Sequence, residues 1–446
     1  MSEAKPGSGL QGGRKPGIRS IICPYCCHPF RSSDALAISR NSTLGRDRVV
    51  LDDQDRNIRF LPSRFAENGN PLDPAGSECH EYACPECHLG LSRNNLVAEP
   101  NYFSLVGAPQ SGKSFFLTAS TWRLQTILLH LRCSLLDASP RENTLLREYA
   151  RRLFESDDRT APIEPLSPTD WRNPPNSVQV RIRNRTLRLL KPFQFLFRAN
   201  KDWMAEAIER ATAANGTPPG RLLNAAEYGS QVLLYDNPGE DHLAQSSEGL
   251  DSASHMRFSK VLLFTLNPLG DRSLRARCDQ SHPLVKNPPA IEVEPRCAQN
   301  LVFSEAVRRI ARLKGAGPAG SIGARVVVAV TKADLWPELY EQISTPLEYQ
   351  GRGRPSLPQE EIDRVSTQTK LLVRQAWPEF VDAADRADEA QAARFFPVSV
   401  LKPSACRGDN PRVIRGEDVH PAWCEVPLLW SILRTTGCEP RRRKVD

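Results

Sequence analysis

Runs of five to eight mostly apolar residues recur along the chain after position 99, and longer stretches with helical spacing separate them. Short, almost continuous apolar runs are typical of strands that are covered on both faces of a parallel sheet. Amphipathic stretches between such runs predict the covering helices. The pattern therefore predicts an α/β protein with a doubly wound, mostly parallel sheet. The predicted strands are 101–106, 231–235, 261–266, 325–330 and 394–401, and the predicted helices are 115–131, 203–214, 303–314, 359–373 and 426–434.

A different pattern occupies 178–197, where apolar and charged residues alternate before a second apolar run begins. Alternation with a period of two is typical of a half-buried strand, so this segment predicts a hairpin at the edge of the sheet. Its arginines are interpreted as a solvated strand face rather than a nucleic-acid-binding stripe. They are Arg181, Arg183, Arg185 and Arg188.

Length and composition place the chain among ordinary globular proteins. Its 446 residues, 40% hydrophobic and 25% charged, are sufficient for two or three domains with a packed core. The net charge of +7 is a weak attraction toward acidic partners over this length. No apolar run approaches the roughly 18 residues that cross a bilayer, and no apolar segment follows the basic residues near the start. A cytoplasmic protein without a membrane span is expected.

The cysteines are clustered, since six of the 12 precede position 90. Two C-P-x-C motifs, Cys23 to Cys26 and Cys84 to Cys87, have the spacing of zinc knuckles, in which two thiolates of one turn bind one ion. Clustered pairs in a chain without an export signal indicate metal ligands rather than disulfides. We predict that these four cysteines form a structural Zn²⁺ site. The 57 residues between the knuckles predict an insertion, and the reserve ligands are Cys27, Cys79, His80 and His88.

The nucleotide-binding signal begins at Gly107, where an apolar strand enters G-x-x-x-x-G-K-S and a helix follows. In this context the motif is a Walker A phosphate loop, whose backbone amides and helix N-terminus bind phosphates. Lys113 is predicted to reach the outer phosphates and to act in catalysis, and the Ser114 hydroxyl is predicted to bind Mg²⁺. The predicted nucleotide contacts in this loop are Gly107, Gln110, Ser111, Gly112, Lys113, Ser114 and Phe115.

A second motif, D-x-x-G, follows the predicted strand 231–235. Asp236 is expected to hold Mg²⁺, and the Gly239 amide is expected to contact the γ-phosphate. The next residue, a water-positioning Gln in Ras-like proteins, is Glu240 here, and His242 is a second candidate for that role. Because a carboxylate beside a γ-phosphate is unfavourable, we expect slow hydrolysis that a partner's arginine or dimerisation completes.

Two further motifs are expected to contact the base of the bound nucleotide. The strand 325–330 leads into Thr331-Lys332-Ala-Asp334, and an aspartate there accepts hydrogen bonds from guanine N1–H and the 2-amino group, which adenine lacks. Lys332 is expected to lie over the base. Thr331 stands where Asn is commoner and is expected to lose an amide contact. Ser399 and Val400, in the last predicted strand, complete the predicted base contacts.

The four motifs, in this order, resemble those of the TRAFAC class of P-loop GTPases over about 101–436. The resemblance implies a P-loop NTPase sheet with helices on both faces, GTP and GDP as ligands, and Mg²⁺ as cofactor. Zinc knuckles before a GTPase domain with long insertions are similar to the bacterial double-GTPase proteins of predicted conflict (anti-phage) systems. That resemblance implies a second GTPase or an effector protein as partner. The switch I threonine is not assigned, and Thr160 and Thr169 are candidates.

The predicted organisation is a disordered tail (1–17), a zinc-ribbon-like module with an insertion (18–98), a P-loop GTPase domain (99–436) and a basic tail (437–446). The leading hypothesis is a GTP-binding switch that hydrolyses GTP slowly and acts with a partner. Three alternatives remain open: a nucleotide-binding scaffold without turnover, an ATP-using P-loop protein, and a zinc-module nucleic-acid binder that nucleotide gates.

Overall fold

A seven-stranded sheet forms the centre of the chain, in a computed structural model that describes residues 20–51, 57–164, 166, 177–217, 220–238, 253–290, 298–315, 321–351, 354–407 and 413–438. The predicted tail 1–17 and all but two residues of the predicted tail 437–446 lie outside these ranges. The strands are β1 Ser20–Ile22, β2 Pro29–Arg31, β3 Leu36–Ile38, β4 Arg59–Phe60, β5 Glu81–Ala83, β6 Gly90–Leu91, β7 Glu99–Gly107, β8 Ser134–Asp137, β9 Ser177–Ile182, β10 Arg185–Leu190, β11 Phe193–Arg198, β12 Ser230–Asp236, β13 Ser259–Leu266, β14 Arg325–Val330, β15 Gln350–Gly351, β16 Arg354–Pro355, β17 Arg394–Pro397, β18 Ser399–Leu401 and β19 Val419–Ala422. The α-helices are α1 Arg93–Val97, α2 Lys113–His130, α3 Thr144–Phe154, α4 Lys201–Asn215, α5 Gly220–Tyr228, α6 Arg272–Arg275, α7 Pro283–Lys286, α8 Gln299–Lys314, α9 Pro337–Ile343, α10 Gln359–Ala376, α11 Pro378–Ala387 and α12 Glu425–Thr436.

The order of strands in the large sheet is β17-β14-β13-β7-β12-β11-β8. The first five are mutually parallel, and β11 runs antiparallel to both of its neighbours. The five apolar runs of the sequence supply these five parallel strands, so the predicted α/β fold with a mostly parallel sheet is confirmed. Chain connections leave β7 toward β12 and leave β13 toward β14, in opposite directions. The boundary between β7 and β13 is therefore a topological switch point, where ligands bind in open α/β sheets.

Helices cover both faces of the sheet, as two adjacent phenylalanines in β17 make clear. Successive residues of a strand face opposite sides of its sheet. The ring of Phe395 lies 6.4 Å from Phe380 of α11, whereas the ring of Phe396 lies 6.3 Å from Trp430 of α12. Helices α11 and α12 therefore pack on opposite faces. Phe264 of β13 contacts both Phe380 and a residue of α8, which places α8 on the same face as α11.

The segment 178–197 differs from its predicted position. It does form a hairpin, β9 with β10, but the hairpin pairs with 49–51 near the N-terminus rather than with the large sheet. The Arg181 amide donates to Val49 O over 2.8 Å, and Val50 is buried against Val180. Only β11 enters the large sheet. The difference lies in burial, because Phe193 to Phe197 is buried on both faces of the strand whereas the hairpin has one buried face.

The N-terminal part contains a four-stranded sheet, β4-β3-β5-β6, and the separate pair β1-β2. Its buried side chains form one apolar cluster with the inner face of the β9–β10 hairpin. None of the helices in the described part of the chain is both long and apolar enough to cross a membrane.

Candidate functional site

The two C-P-x-C knuckles adopt the same turn, although 57 residues separate them. The Cys27 amide donates to Cys23 O over 3.1 Å, and the His88 amide donates to Cys84 O over 3.0 Å. Both Cys27 and His88 have left-handed backbone, with φ of 59° and 58°. In each knuckle the amide two residues after the first cysteine points at its sulfur, 3.4 Å away, which is an interaction that favours a thiolate.

The four sulfurs of these knuckles lie together. Their Sγ atoms are all within 4.8 Å of one another, and Cys23 to Cys87 and Cys26 to Cys84 are both 3.7 Å apart. A tetrahedral Zn²⁺ site with Zn–S bonds of about 2.3 Å has sulfurs about 3.8 Å apart. Four thiols with this spacing, three of them completely buried, fit a closed Zn²⁺ site.

The residues predicted as reserve metal ligands lie outside this group of four sulfurs. His88 bonds through Nδ1 to Asp47 Oδ2 at 2.7 Å, and Cys79 Sγ lies 3.9 Å from Ser77 O. Cys27 shares a side-chain hydrogen bond with Ser254, far along the chain. Within the described ranges, the group of potential ligands with metal-compatible spacing consists of the four knuckle cysteines, without Cys27, Cys79, His80 or His88.

The predicted phosphate loop lies between the end of β7 and a long helix. It turns through left-handed backbone at Gln110 (φ 58°) and Gly112 (φ 84°), and the 18-residue helix α2 begins at Lys113. The helix N-terminus follows the carboxyl end of β7 after the short loop 108–112. Ser114 and Phe115 are partly exposed in its first turn.

Close packing explains why the first residue of the predicted phosphate loop is a glycine. A Cβ atom on Gly107 would lie 1.9 Å from the Thr265 hydroxyl, so this position accepts no side chain. The same hydroxyl is 2.7 Å from Ser111 Oγ. Lys113 spans the loop, since its ammonium donates to Gly107 O at 2.9 Å and to Ala108 O at 3.2 Å. Thr265 was not singled out from the sequence, although a hydroxyl within an apolar strand is a signal.

Asp236 ends β12, the strand that lies parallel to β7. It pairs in register with Leu105, two residues before Gly107, and is 8% exposed. The next residue holds it there, because Asn237 donates through its side chain to Leu105 O and Tyr235 O, both at 3.1 Å. The sequence analysis missed Asn237. The predicted Gly239, Glu240 and His242 lie outside the described residues, as does Thr169. Thr160 is exposed, and its hydroxyl donates to Asp158 at 2.6 Å.

The T-K-A-D segment, which follows β14, lies against the loop that follows β7. Thr331 Oγ1 donates to Ser111 O over 2.7 Å, and Lys332 has left-handed backbone with φ of 52°. The threonine thus contacts the loop after β7 through its hydroxyl, and the expected loss of an amide contact stays a prediction. The T-K-A-D segment and the predicted phosphate loop are therefore in direct contact.

Asp334 and Ser399 are joined directly. Ser399 Oγ donates to Asp334 Oδ1 at 2.5 Å, and Val400 beside it is partly buried against the core. Burial raises the pKa of Asp334 to about 6, although Ser399 and Lys332 oppose the shift. A carboxylate held in this way gains from ligand N–H donors. Besides Lys332, the titratable groups that interact with it are Cys278, Tyr340, Cys406 and Cys424.

Comparisons with known proteins include a weak similarity to a solved structure. No protein-family model and no curated protein matches the sequence. A search of solved structures finds the Ski7 GTPase-like domain of S. cerevisiae, determined with bound GTP, at 10% identity and a TM-score of 0.25. The match covers 77% of the present chain and about half (51%) of the length of the Ski7 chain. A similarity this low indicates no function for this chain.

Proposed function

We propose that this protein binds GTP and GDP with Mg²⁺ at the edge of the sheet between β7 and β13. The observation that carries the proposal is the hydrogen bond from Thr331 to Ser111 O, because it makes the T-K-A-D segment part of the phosphate loop's own site. A chance T-K-A-D sequence would have no reason to lie there. Guanine is favoured over adenine because Asp334 is an acceptor that only guanine's N1–H and 2-amino group satisfy.

Each side chain then has a role. Backbone amides of 108–114 and Lys113 would bind the phosphates, while Ser114 and Asp236 would hold Mg²⁺, which neutralises phosphate charge when bound. Lys332 would lie along the base, and Ser399 orients the Asp334 carboxylate through its hydroxyl. The four knuckle cysteines would hold a structural Zn²⁺ ion.

We further propose that the protein hydrolyses GTP slowly as a switch and that a partner protein completes the reaction. Glu240 in place of the usual glutamine supports slow turnover. The partner's identity as a second GTPase or effector, and a place in a bacterial conflict system, remain predictions from the resemblance. Phosphate release measured over many turnovers separates this enzyme from a scaffold that binds without turnover.

Calorimetric titration of the full-length, zinc-loaded protein tests the proposal. With Mg²⁺ present, GTP and GDP should bind, and ATP should bind at least about 100-fold more weakly because Asp334 would lose both of its donors. Equal binding of ATP and GTP would overturn the guanine assignment. Failure of every nucleotide to bind would overturn the site itself.

Guanine nucleotide affinity should also depend on pH through Asp334. The raised pKa of about 6 means that protons compete with guanine for this carboxylate below pH 6. The contribution of Asp334 should therefore be complete at pH 8 and fall about tenfold by pH 5, since each pH unit below a pKa lowers the ionised fraction about tenfold. The GDP dissociation constant measured from pH 5 to pH 8 checks this.

The phosphates of GDP titrate in the same range, so the profile needs a matched reference. Asp334→Asn binds the same phosphates without the titrating carboxyl group, and the ratio of the two profiles isolates Asp334. A ratio that stays constant from pH 5 to pH 8 would contradict the role of this carboxylate.

A further inference from the structure

The first knuckle is attached to the two strands that deliver the nucleotide-binding residues. Tyr235 of β12 donates its hydroxyl proton to Pro24 O at 2.5 Å, and Tyr102 of β7 donates to Ile22 O at 3.3 Å. Pro24 lies between the metal ligands Cys23 and Cys26 in the chain. A metal ion held by both cysteines would therefore fix the carbonyl oxygen that Tyr235 contacts.

The Tyr235 side chain is so closely packed that a shift of the Pro24 carbonyl should displace the whole residue. The ring is completely buried, and His255 stacks on it with centroids 3.9 Å apart and planes within 7°. Tyr102 stacks near it at 6.0 Å. Close-packed interiors transmit such displacements instead of absorbing them. The backbone of Tyr235 continues directly into Asp236, the predicted Mg²⁺ ligand.

We infer that Tyr235 is a positioning residue that couples the four-cysteine metal site to the nucleotide site. Occupation of the metal site holds Pro24 O, the hydrogen bond to Tyr235 holds the end of β12, and Asp236 is thereby kept in place for Mg²⁺ and phosphate. By linkage, a bound Mg²⁺–nucleotide must retain the metal to the same degree. This inference rests on the proposed function, since it requires nucleotide at Asp236.

The retention of zinc by the holoprotein provides a readout that does not depend on turnover. Zinc transfer from the full-length protein to the chromogenic chelator 4-(2-pyridylazo)resorcinol is followed with Mg²⁺ alone, with Mg²⁺–GDP and with Mg²⁺–ATP. We expect Mg²⁺–GDP to strengthen zinc retention at equilibrium about fivefold or more, the lower end of usual coupling between sites, and Mg²⁺–ATP to have no effect. In Tyr235→Phe, which keeps the stacked ring, the GDP effect should fall below about twofold with one zinc still bound.

Tyr25→Phe is the matched control. It also removes a hydroxyl that joins the first knuckle to the sheet, but its partner is Gln194 of β11, a strand that carries no predicted nucleotide contact. This variant should keep the full GDP effect. Loss of the effect in both variants would overturn a specific path through Tyr235. GDP binding in calorimetry without stronger zinc retention at equilibrium would overturn this inference alone, whereas absence of GDP binding would overturn the proposed function and this inference with it.

Discussion

Asp334→Asn should exchange the nucleotide preference from guanine to xanthine. In the proposed site the carboxylate would accept from two guanine donors, and hydrogen bonds to a charged group each contribute about 1.5–3 kcal/mol. Replacing it by an amide places an N–H₂ group against the 2-amino group, so GTP affinity should fall about 100-fold or more. Xanthine has an oxygen at that position, which the asparagine amide can contact as a donor. Calorimetry with GTP and XTP measures both changes.

The loss of GTP binding must be separated from loss of the fold. Because burial raises the pKa of Asp334, ionising this group costs the folded protein stability as pH rises from about 4 to about 6. The neutral variant should consequently melt no lower than the native protein at pH 7.5. Asp382→Asn, an exposed aspartate of α11 that pairs with Arg374, is the matched surface control and should leave nucleotide binding unchanged. Unaltered GTP affinity in Asp334→Asn would refute the base assignment.

Cys84→Ser should remove the metal and unfold the N-terminal module. The hydroxyl is a poor Zn²⁺ ligand, and the metal contributes about 10–16 kcal/mol to folding in small zinc domains at neutral pH. Here three of the four cysteines belong to the apolar cluster that the module shares with the β9–β10 hairpin, and Cys26 packs against it. We expect zinc content, measured by atomic emission, to fall from one equivalent to near zero and the melting transition to broaden or split.

Cys27→Ser is the matched control, because Cys27 directly follows a ligand but lies outside the group of four sulfurs. It should retain one zinc. Co²⁺ substitution adds a spectroscopic check, since four thiolates give a tetrahedral cobalt spectrum that Cys84→Ser should lack. Zinc retained by Cys84→Ser, or lost from Cys27→Ser, would show that the ligand set is wrong.

The local sequence pattern was sufficient to predict those elements whose structure depends on residues close together in the chain. The apolar runs 231–235 and 325–330 predicted β12 and β14 to within a residue or two, because an uninterrupted apolar strand has few other places in a folded chain. The knuckle turns are equally local, as each C-P-x-C folds through hydrogen bonds within six residues. The same holds for the left-handed turn at Gly112, where α2 begins.

The hairpin shows where such reasoning fails. Its alternating pattern predicts one buried face, but the pattern does not identify the surface that covers it. Both the edge of the large sheet and the cysteine module would bury Val180 and Leu189, and the structure places them against the module. Only the relative position of distant segments decides between two such surfaces.

The sequence by itself therefore determined the α/β class, the parallel strands, the order of the motifs and the four cysteines of the candidate metal site. Tertiary structure alone decided which of these elements meet. Thr331 contacts Ser111 across 220 positions, Thr265 packs on Gly107, and Tyr235 reaches Pro24 across 211 positions. These contacts depend on which strands are neighbours in the sheet, and that order results from the burial of the whole core rather than from any local spacing.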